Sequence, residues 1–252
     1  MTLVVGFVAG DRAVMAADSQ ATEADGTRTT IDKIWCERGL LIGYAGPHAI
    51  RDRLQRVFAH KLSASDPEEL RSCDTVAAAL CSAARPTLEA IYQNYVPDHG
   101  EHPKSRLGGQ VLVLGCDGTD HWLLEIDADN TPTPYTDNGF HAAGSGSPAA
   151  QVAMALLESY VPAELTLREL GALAYRTVLT SVRVLAHAVG EPVVLWSSDG
   201  NGSFTKATDT EIDDIERFIE AWTTGERESL RMVEVADEQK PPLPARQPDK
   251  PG

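Results

Sequence analysis

The stretch T-L-V-V-G-F-V-A-G-D-R-A-V-M-A-A-D-S, Thr2–Ser19, decides the fold. Two apolar runs flank Gly10-Asp11, which is the signature of a β-hairpin. A second hairpin comes after it: Lys33–Glu37 and Leu40–Ala45 read as strands around an Arg38-Gly39 bend. Two helical stretches come next, Pro47–Leu62 and Pro67–Tyr95, with Pro86 expected to kink the second. His99–Gly109 is polar and contains Gly and Pro, so a loop is expected. Strands return at Gln110–Cys116, His121–Ile126 and Phe140–Ala143. Gly144–Pro148 is a turn, with Ser147 expected to cap the helix Ala149–Val161, and a further helix covers Leu167–Ala188. Strands at Pro192–Ser197 and Ser203–Thr205 close the pattern. Strands, two helices, strands, two helices, strands is not a βαβ alternation. It suits antiparallel sheets with helices layered outside, an α+β or four-layer arrangement.

Length and charge narrow the class. The 252 residues carry 22 Lys plus Arg against 37 Asp plus Glu, a formal charge of −15. Nucleic-acid binding needs a basic footprint, and an anionic membrane surface needs a polybasic one; neither is expected here. No apolar run reaches the roughly 18–20 residues that span a bilayer. No basic stretch followed by an apolar core and a small-residue site marks a signal peptide, so a cytoplasmic location is expected. Cys36, Cys73, Cys81 and Cys116 are scattered without a CxxC pair. A zinc site or disulfide framework is therefore not expected, and the thiols read as small buried hydrophobes. No metal constellation, phosphate-binding loop or cofactor motif is present in the pattern.

The C-terminal region stands apart. Thr208–Gly225 reads as an amphipathic helix, with Ile212, Ile215, Phe218, Ile219 and Trp222 at helical spacing. Five of the 15 prolines fall in Pro241–Pro251. The expected organisation is one domain over residues 2–207, a terminal helix over 208–232, and a disordered Pro-rich tail over 233–252. From Asp209 onward there are 12 acids and 6 bases, so −6 of the −15 belongs to that region.

The N-terminus offers a candidate nucleophile. Removal of initiator methionine ahead of a small residue would expose Thr2. Its hydroxyl is a weak nucleophile, but its own α-amine, with an ordinary pKa of about 7.7–8.0, can serve as base. A nearby ammonium disfavours a second positive charge and keeps that amine neutral. Asp18 ends the second strand and Lys33 opens the third. Hairpin return brings Asp18 toward Thr2, and Lys33 enters from the next hairpin. The spacing also fits a simpler account, with Asp18 capping a turn and Lys33 as a solvated strand-end charge.

The run Thr2–Ser19 resembles the start of a mature proteasome β-subunit or of the bacterial HslV peptidase. Thr2 falls on the N-terminal threonine, Asp18 on the strand-end aspartate and Lys33 on the catalytic lysine. D-K-I-W-C-E-R-G-L-L-I-G-Y-A-G, Asp32–Gly46, is similar to the family's next hairpin. H-A-A-G-S-G-S-P-A-A-Q, His141–Gln151, resembles its Gly-Ser-Gly turn into a helix. The resemblance implies an N-terminal-nucleophile (Ntn) hydrolase with a four-layer αββα sandwich. It also implies Gly46 as backbone donor to an oxyanion and Ser145 as a hydrogen-bonding partner near the threonine amine. Gly46 equally fits a strand-to-helix turn, and Ser145 a turn or cap serine. The function implied by the resemblance is an acyl-enzyme hydrolase of peptides or small amides, needing no cofactor. A ring-like homo-oligomer and a methionine aminopeptidase that removes Met1 are the partners implied.

Two departures matter. The family usually bears a propeptide, whereas only Met1 precedes Thr2 here. The family also places an aspartate after its last long helix. This chain reads L-A-H-A-V-G-E-P-V-V at Leu185–Val194, with His187 nearest that place. A histidine cannot supply a carboxylate anion. A non-catalytic assembly or scaffold subunit of the same fold is therefore the alternative, and an amidase of small molecules is a variant of the first reading.

Overall fold

The computed structural model describes residues 2–22, 28–94, 108–135, 139–158, 164–185, 190–200 and 202–238. The first hairpin is β1 (Val4–Ala9) and β2 (Arg12–Asp18), followed by a short ribbon of β3 (Gln20–Thr22) and β4 (Arg28–Thr30). The second hairpin is β5 (Ile34–Glu37) and β6 (Leu40–Ala45). Its Arg38 and Gly39 have φ of 54° and 79°, the two left-handed residues that a type I′ turn requires. Helices α1 (His48–Ser63) and α2 (Cys73–Gln93) come next. After them lie β7 (Gln110–Cys116), β8 (His121–Ile126), β9 (Pro132–Tyr135) and β10 (Phe140–Ala143). Helices α3 (Ser147–Glu158) and α4 (Leu167–Val184), strands β11 (Val193–Ser198) and β12 (Thr205–Lys206), and helix α5 (Asp209–Glu238) complete the chain.

The strands build two five-stranded antiparallel sheets, ordered β10-β1-β2-β11-β12 and β5-β6-β7-β8-β9. Strand periodicity splits their side chains into three cores. From β1 and β2, Leu3, Val5, Phe7, Val14 and Ala16 face α3, α4 and α5. Leu40, Ile42, Tyr44, Val111 and Val113 of the second sheet face α1 and α2. The alternate residues Val4, Met15, Leu41, Leu112, Leu114 and Leu123 meet between the sheets. Three cores between successive layers make the four-layer αββα sandwich that the sequence implies.

The sheets approach closely where glycine removes a side chain. A Cβ on Gly43 would lie 2.6 Å from Val4 Cγ1 and 2.8 Å from Met15 Sδ. Gly43→Val is expected to cost about 1–3 kcal/mol through overpacking, read as a lower urea midpoint.

Several boundaries differ from the sequence reading, each for a local reason. α2 starts at Cys73 rather than Pro67, because a 3-10 turn occupies Glu69–Arg71 and the Ser72 hydroxyl accepts the Thr75 N–H at 3.3 Å. Pro86 sits inside α2, which remains one helix. The ribbon β3–β4 and strand β9 were not expected. β9 contains Pro132 and Pro134, and it lies at a sheet edge, where a missing N–H donor is tolerated. Ser147 opens α3 instead of capping it; its N–H donates to the Gly144 carbonyl at 3.0 Å. Of the cysteines, Cys81 is buried, Cys73 and Cys116 are half-buried and Cys36 is exposed, so the expectation of small core residues holds fully for Cys81 alone.

α5 continues to Glu238, beyond the expected end at 232, since no Gly or Pro interrupts the chain there. Its Ile215 and Ile219 are buried, and Phe218 and Trp222 pack against the same core. Arg176 of α4 lies 4.3 Å over the Trp222 ring and forks onto Glu226 at 3.0 and 2.7 Å. The helix is thus built into the outer layer. The expected ends of helices at Tyr95, Val161 and Ala188, most of the His99–Gly109 loop, His187 and the tail from 239 lie outside the described residues. No described helix is long and apolar enough to cross a membrane.

Candidate active site

The hairpin register places Asp18 beside the start of the chain. Val4 pairs with Ala17, and the next residue pair closes with Asp18 N–H donating to the Leu3 carbonyl at 3.2 Å. The Asp18 side chain folds back over that rung: Oδ1 accepts the Leu3 N–H at 2.8 Å. On its other side β2 pairs with β11, and Asp18 Oδ2 accepts the Gly190 N–H at 3.3 Å. Asp18 is 1% exposed, so each of these donors replaces lost water.

Lys33 reaches the same carboxylate from the second sheet. Its carbonyl accepts the Tyr44 N–H at 2.9 Å, which extends the β5–β6 ladder and fixes its backbone. Its ammonium donates to Asp18 Oδ1 at 2.7 Å and to the Gln20 carbonyl at 2.7 Å. Leu3 N and Lys33 Nζ therefore share one carboxylate oxygen, which puts the ammonium next to the Thr2–Leu3 peptide. Lys33 is 3% exposed. Burial pulls its pKa below the ordinary 10.5, and this outweighs the opposing attraction and hydrogen bond of Asp18. A solvated strand-end lysine is excluded by this burial.

The third component comes from the turn after β10. Thr2 N donates to Ser145 Oγ at 3.1 Å, and the Gly146 N–H donates to the Thr2 carbonyl at 3.2 Å. Gly144 has φ of 99°, and a Cβ there would lie 2.2 Å from the Thr2 carbonyl oxygen. Only glycine allows this approach. The same Cβ would be 2.9 Å from the Ala45 methyl, so the end of β6 and the adjacent Gly46 adjoin this turn. Gly46 also has a packing reason of its own: a side chain would meet the Tyr44 hydroxyl at 2.5 Å.

The structure thus brings Thr2, Asp18, Lys33 and Ser145 together, with Gly46 at the border of the cluster. His187 lies outside the described residues; Gly190 donates its backbone N–H to Asp18 Oδ2. No cluster of three or more metal-ligating side chains occurs among the described residues.

Sequence reading missed the support behind the Ser145 turn. The Gly144 N–H donates to Gln110 Oε1 at 2.7 Å, and Gln110 Nε2 donates to Glu125 Oε1 at 2.5 Å. Tyr135 donates its hydroxyl to Glu125 Oε2 at 2.9 Å, and His141 Nε2 lies 3.0 Å from the same oxygen. The Tyr135 and His141 rings stack at 3.9 Å. Burial pushes the Glu125 carboxyl up, but the neighbouring His141 ring and the hydrogen bonds of Tyr135 and Gln110 together hold it below its ordinary value. One signal was available: Glu125 is an acid on the inward face of the otherwise apolar run W-L-L-E-I.

Neither a family model nor a curated protein sequence matches the chain. Solved structures do. An Anbu (Gly-1) mutant from Hyphomicrobium sp. strain MC1 superposes with a TM-score of 0.68 at 16% identity, covering 97% of this chain and 100% of that one. Anbu (ancestral beta-subunit) from Yersinia bercovieri superposes with a TM-score of 0.69 at 14% identity, covering 96% and 99%. At such identities the likeness concerns architecture over nearly the whole of both chains. The chain therefore has the proteasome-like fold, a four-layer αββα sandwich with antiparallel sheets.

Proposed function

We propose that the chain, once Met1 is removed, is an N-terminal threonine hydrolase of peptide or small-amide bonds. The observation that carries this reading is the buried Asp18–Lys33 pair, 2.7 Å across, lying against the Thr2–Leu3 peptide. A paired charge buried to this degree is expensive, and nothing in sheet packing requires it. Its position beside a residue that methionine removal would turn into an amine gives it a use.

The steps balance simply. Thr2 Oγ attacks the substrate carbonyl while the Thr2 α-amine takes the hydroxyl proton, directly or through one water. The carbonyl oxygen becomes an oxyanion, with the Gly46 N–H as its donor, a contribution of roughly 3–4 kcal/mol in other enzymes. The ammonium returns the proton to the leaving amine, and an ester to Thr2 Oγ remains. Water, deprotonated by the same amine, hydrolyses that ester and restores the hydroxyl. Lys33 disfavours a second positive charge on the amine, Asp18 orients Lys33, and Ser145 Oγ holds the amine nitrogen. A methionine aminopeptidase supplies the free N-terminus. A ring-like homo-oligomer in the cytoplasm is the assembly this reading expects, with no cofactor, nucleic acid or membrane involved. The last residues, from 239, are the proposed disordered tail.

The scaffold reading has one observation in its favour. Where the resemblance implies an aspartate, the sequence Leu185–Val194 has none, and His187 stands nearest that place. Intact-mass measurement after purification, followed by a threonine-directed epoxyketone, separates the two readings. The hydrolase reading expects a Met-free chain carrying one label on Thr2. A Met-free chain that takes no label and cleaves no fluorogenic peptide establishes the scaffold.

A further inference from the structure

We propose that Gln110 is a positioning residue for the Thr2 site: its side-chain amide, oriented by the buried Glu125 carboxylate, fixes the turn that holds Thr2. Its effect on catalysis rests on the hydrolase reading, whereas its hold on the turn does not.

The direction of the hydrogen bonds carries the argument. The Gly144 N–H can only donate, so the Gln110 amide must present Oε1 to it, as it does at 2.7 Å. That leaves Nε2 facing away, where only an acceptor is tolerated. Glu125 supplies one at 2.5 Å. The carboxylate is kept in place by the Tyr135 hydroxyl, on an oxygen that Gln110 does not use and that lies 3.0 Å from His141 Nε2. Glu125 is 8% exposed, so these partners stand in for water. A neutral amide flanked by a donor-only and an acceptor-only group has one orientation, and flipping it breaks both bonds.

The far end of this chain of bonds is the candidate nucleophile. Gly144 abuts the Thr2 carbonyl, Ser145 accepts from Thr2 N, and Gly146 donates to the Thr2 carbonyl. All contacts of Thr2 with this turn depend on where Gly144 sits. Glu125 and Gln110 belong to the second sheet and Gly144 comes directly after β10 of the first, so the link also sets how the two sheets are spaced at the site.

The test exchanges the polarity of the pair. Gln110→Glu still offers Gly144 an acceptor but opposes two buried carboxylates. Q110E/E125Q restores a carboxylate–amide pair of unchanged total charge: Glu at 110 accepts from Gly144 and from the new amide, whose oxygen accepts from Tyr135. Epoxyketone labelling of the Met-free protein is expected to slow about 100-fold in Q110E, in the maximal rate and not in the half-saturating concentration. The double variant should return to within about threefold of the parent. Gln110→Met removes both bonds without adding charge, serves if Q110E does not fold, and should slow labelling comparably.

Amide exchange at Gly144 is the second readout, expected about tenfold faster in Q110E and restored in the double variant. Labelling of Q110E and Q110M at the parental rate overturns the proposal, as does a folded double variant as slow as Q110E. If the Met-free parent itself takes no label, the hydrolase reading fails separately. The positioning claim is then decided by exchange alone, and unchanged Gly144 exchange in Q110E and Q110M overturns it.

Discussion

Asp18→Ala should lower folding stability by about 3–5 kcal/mol, measured as the shift of a urea unfolding curve. The reason is the 3% exposure of Lys33. Its ammonium would keep the Gln20 carbonyl but lose its only counter-charge among the described residues. The Leu3 and Gly190 N–H groups would lose their acceptor as well. Asp18→Ala/Lys33→Met removes the stranded charge along with its partner, and it should recover much of that loss. Hydrolysis should not recover, because the charge next to the amine is gone. Lys33→Met alone is expected to slow turnover by about 10²–10⁴-fold. If the double variant hydrolyses at the parental rate, the pair is structural only.

The ionisation of Lys33 adds a pH signature. Burial sets its native pKa below 10.5, so folding favours the neutral form. The stability it contributes is present above 10.5 and is lost as pH falls through the lower native value. Lys33→Met should erase that alkaline rise in stability when the two proteins are compared.

Retention of Met1 should abolish hydrolysis as completely as Thr2→Ala does, by about 10³-fold or more with a fluorogenic peptide. The two changes act on different atoms. Thr2→Ala deletes the nucleophilic oxygen and leaves the amine. Retained Met1 leaves the hydroxyl but converts the nitrogen into an amide, which has no basic lone pair. Thr2→Ser keeps both groups and should retain substantial activity. Blocking Met1 removal with a bulky residue at position 2 would confound the comparison, so Thr2→Ser and Thr2→Ala, both small, are the suitable pair. Activity in the Met1-bearing chain would show that the α-amine is not the base.

The hairpins were legible because their determinants are local. Continuous apolar runs in Leu3–Ala9 and Ala13–Ala17, with a glycine at φ of 60° between them, mark two strands joined by a tight turn. Asp18 comes out of that register, since a strand's end returns to the partner's start. The Ser145 turn was marked by glycines, one of which the chain cannot replace at φ of 99°. Lys33 could be placed near the site only by resemblance, because its partner lies in the other sheet. β9 was hidden by prolines that suit only an edge strand, and nothing in its composition reveals an edge.

The sequence by itself determined the strand and helix order, the four-layer class and the residues Thr2, Asp18, Lys33, Gly46 and Ser145 as candidates. The element order depends on periodicity and turn geometry, which act over a few residues at a time, whereas the αββα class and the roles of Lys33, Gly46 and Ser145 were implied by resemblance. Only the tertiary structure decided that Lys33 is buried against Asp18, that Gly190 completes the carboxylate's partners, and that α5 belongs to the packed layers. It alone also brought Gln110, Glu125, Tyr135 and His141 behind the Thr2 turn. Those four come from four separate strands, and hydrogen bonds between them exist only once two sheets have stacked. Sheet stacking is set by side-chain volume and by gaps such as Gly43, summed over both faces, which no local pattern encodes.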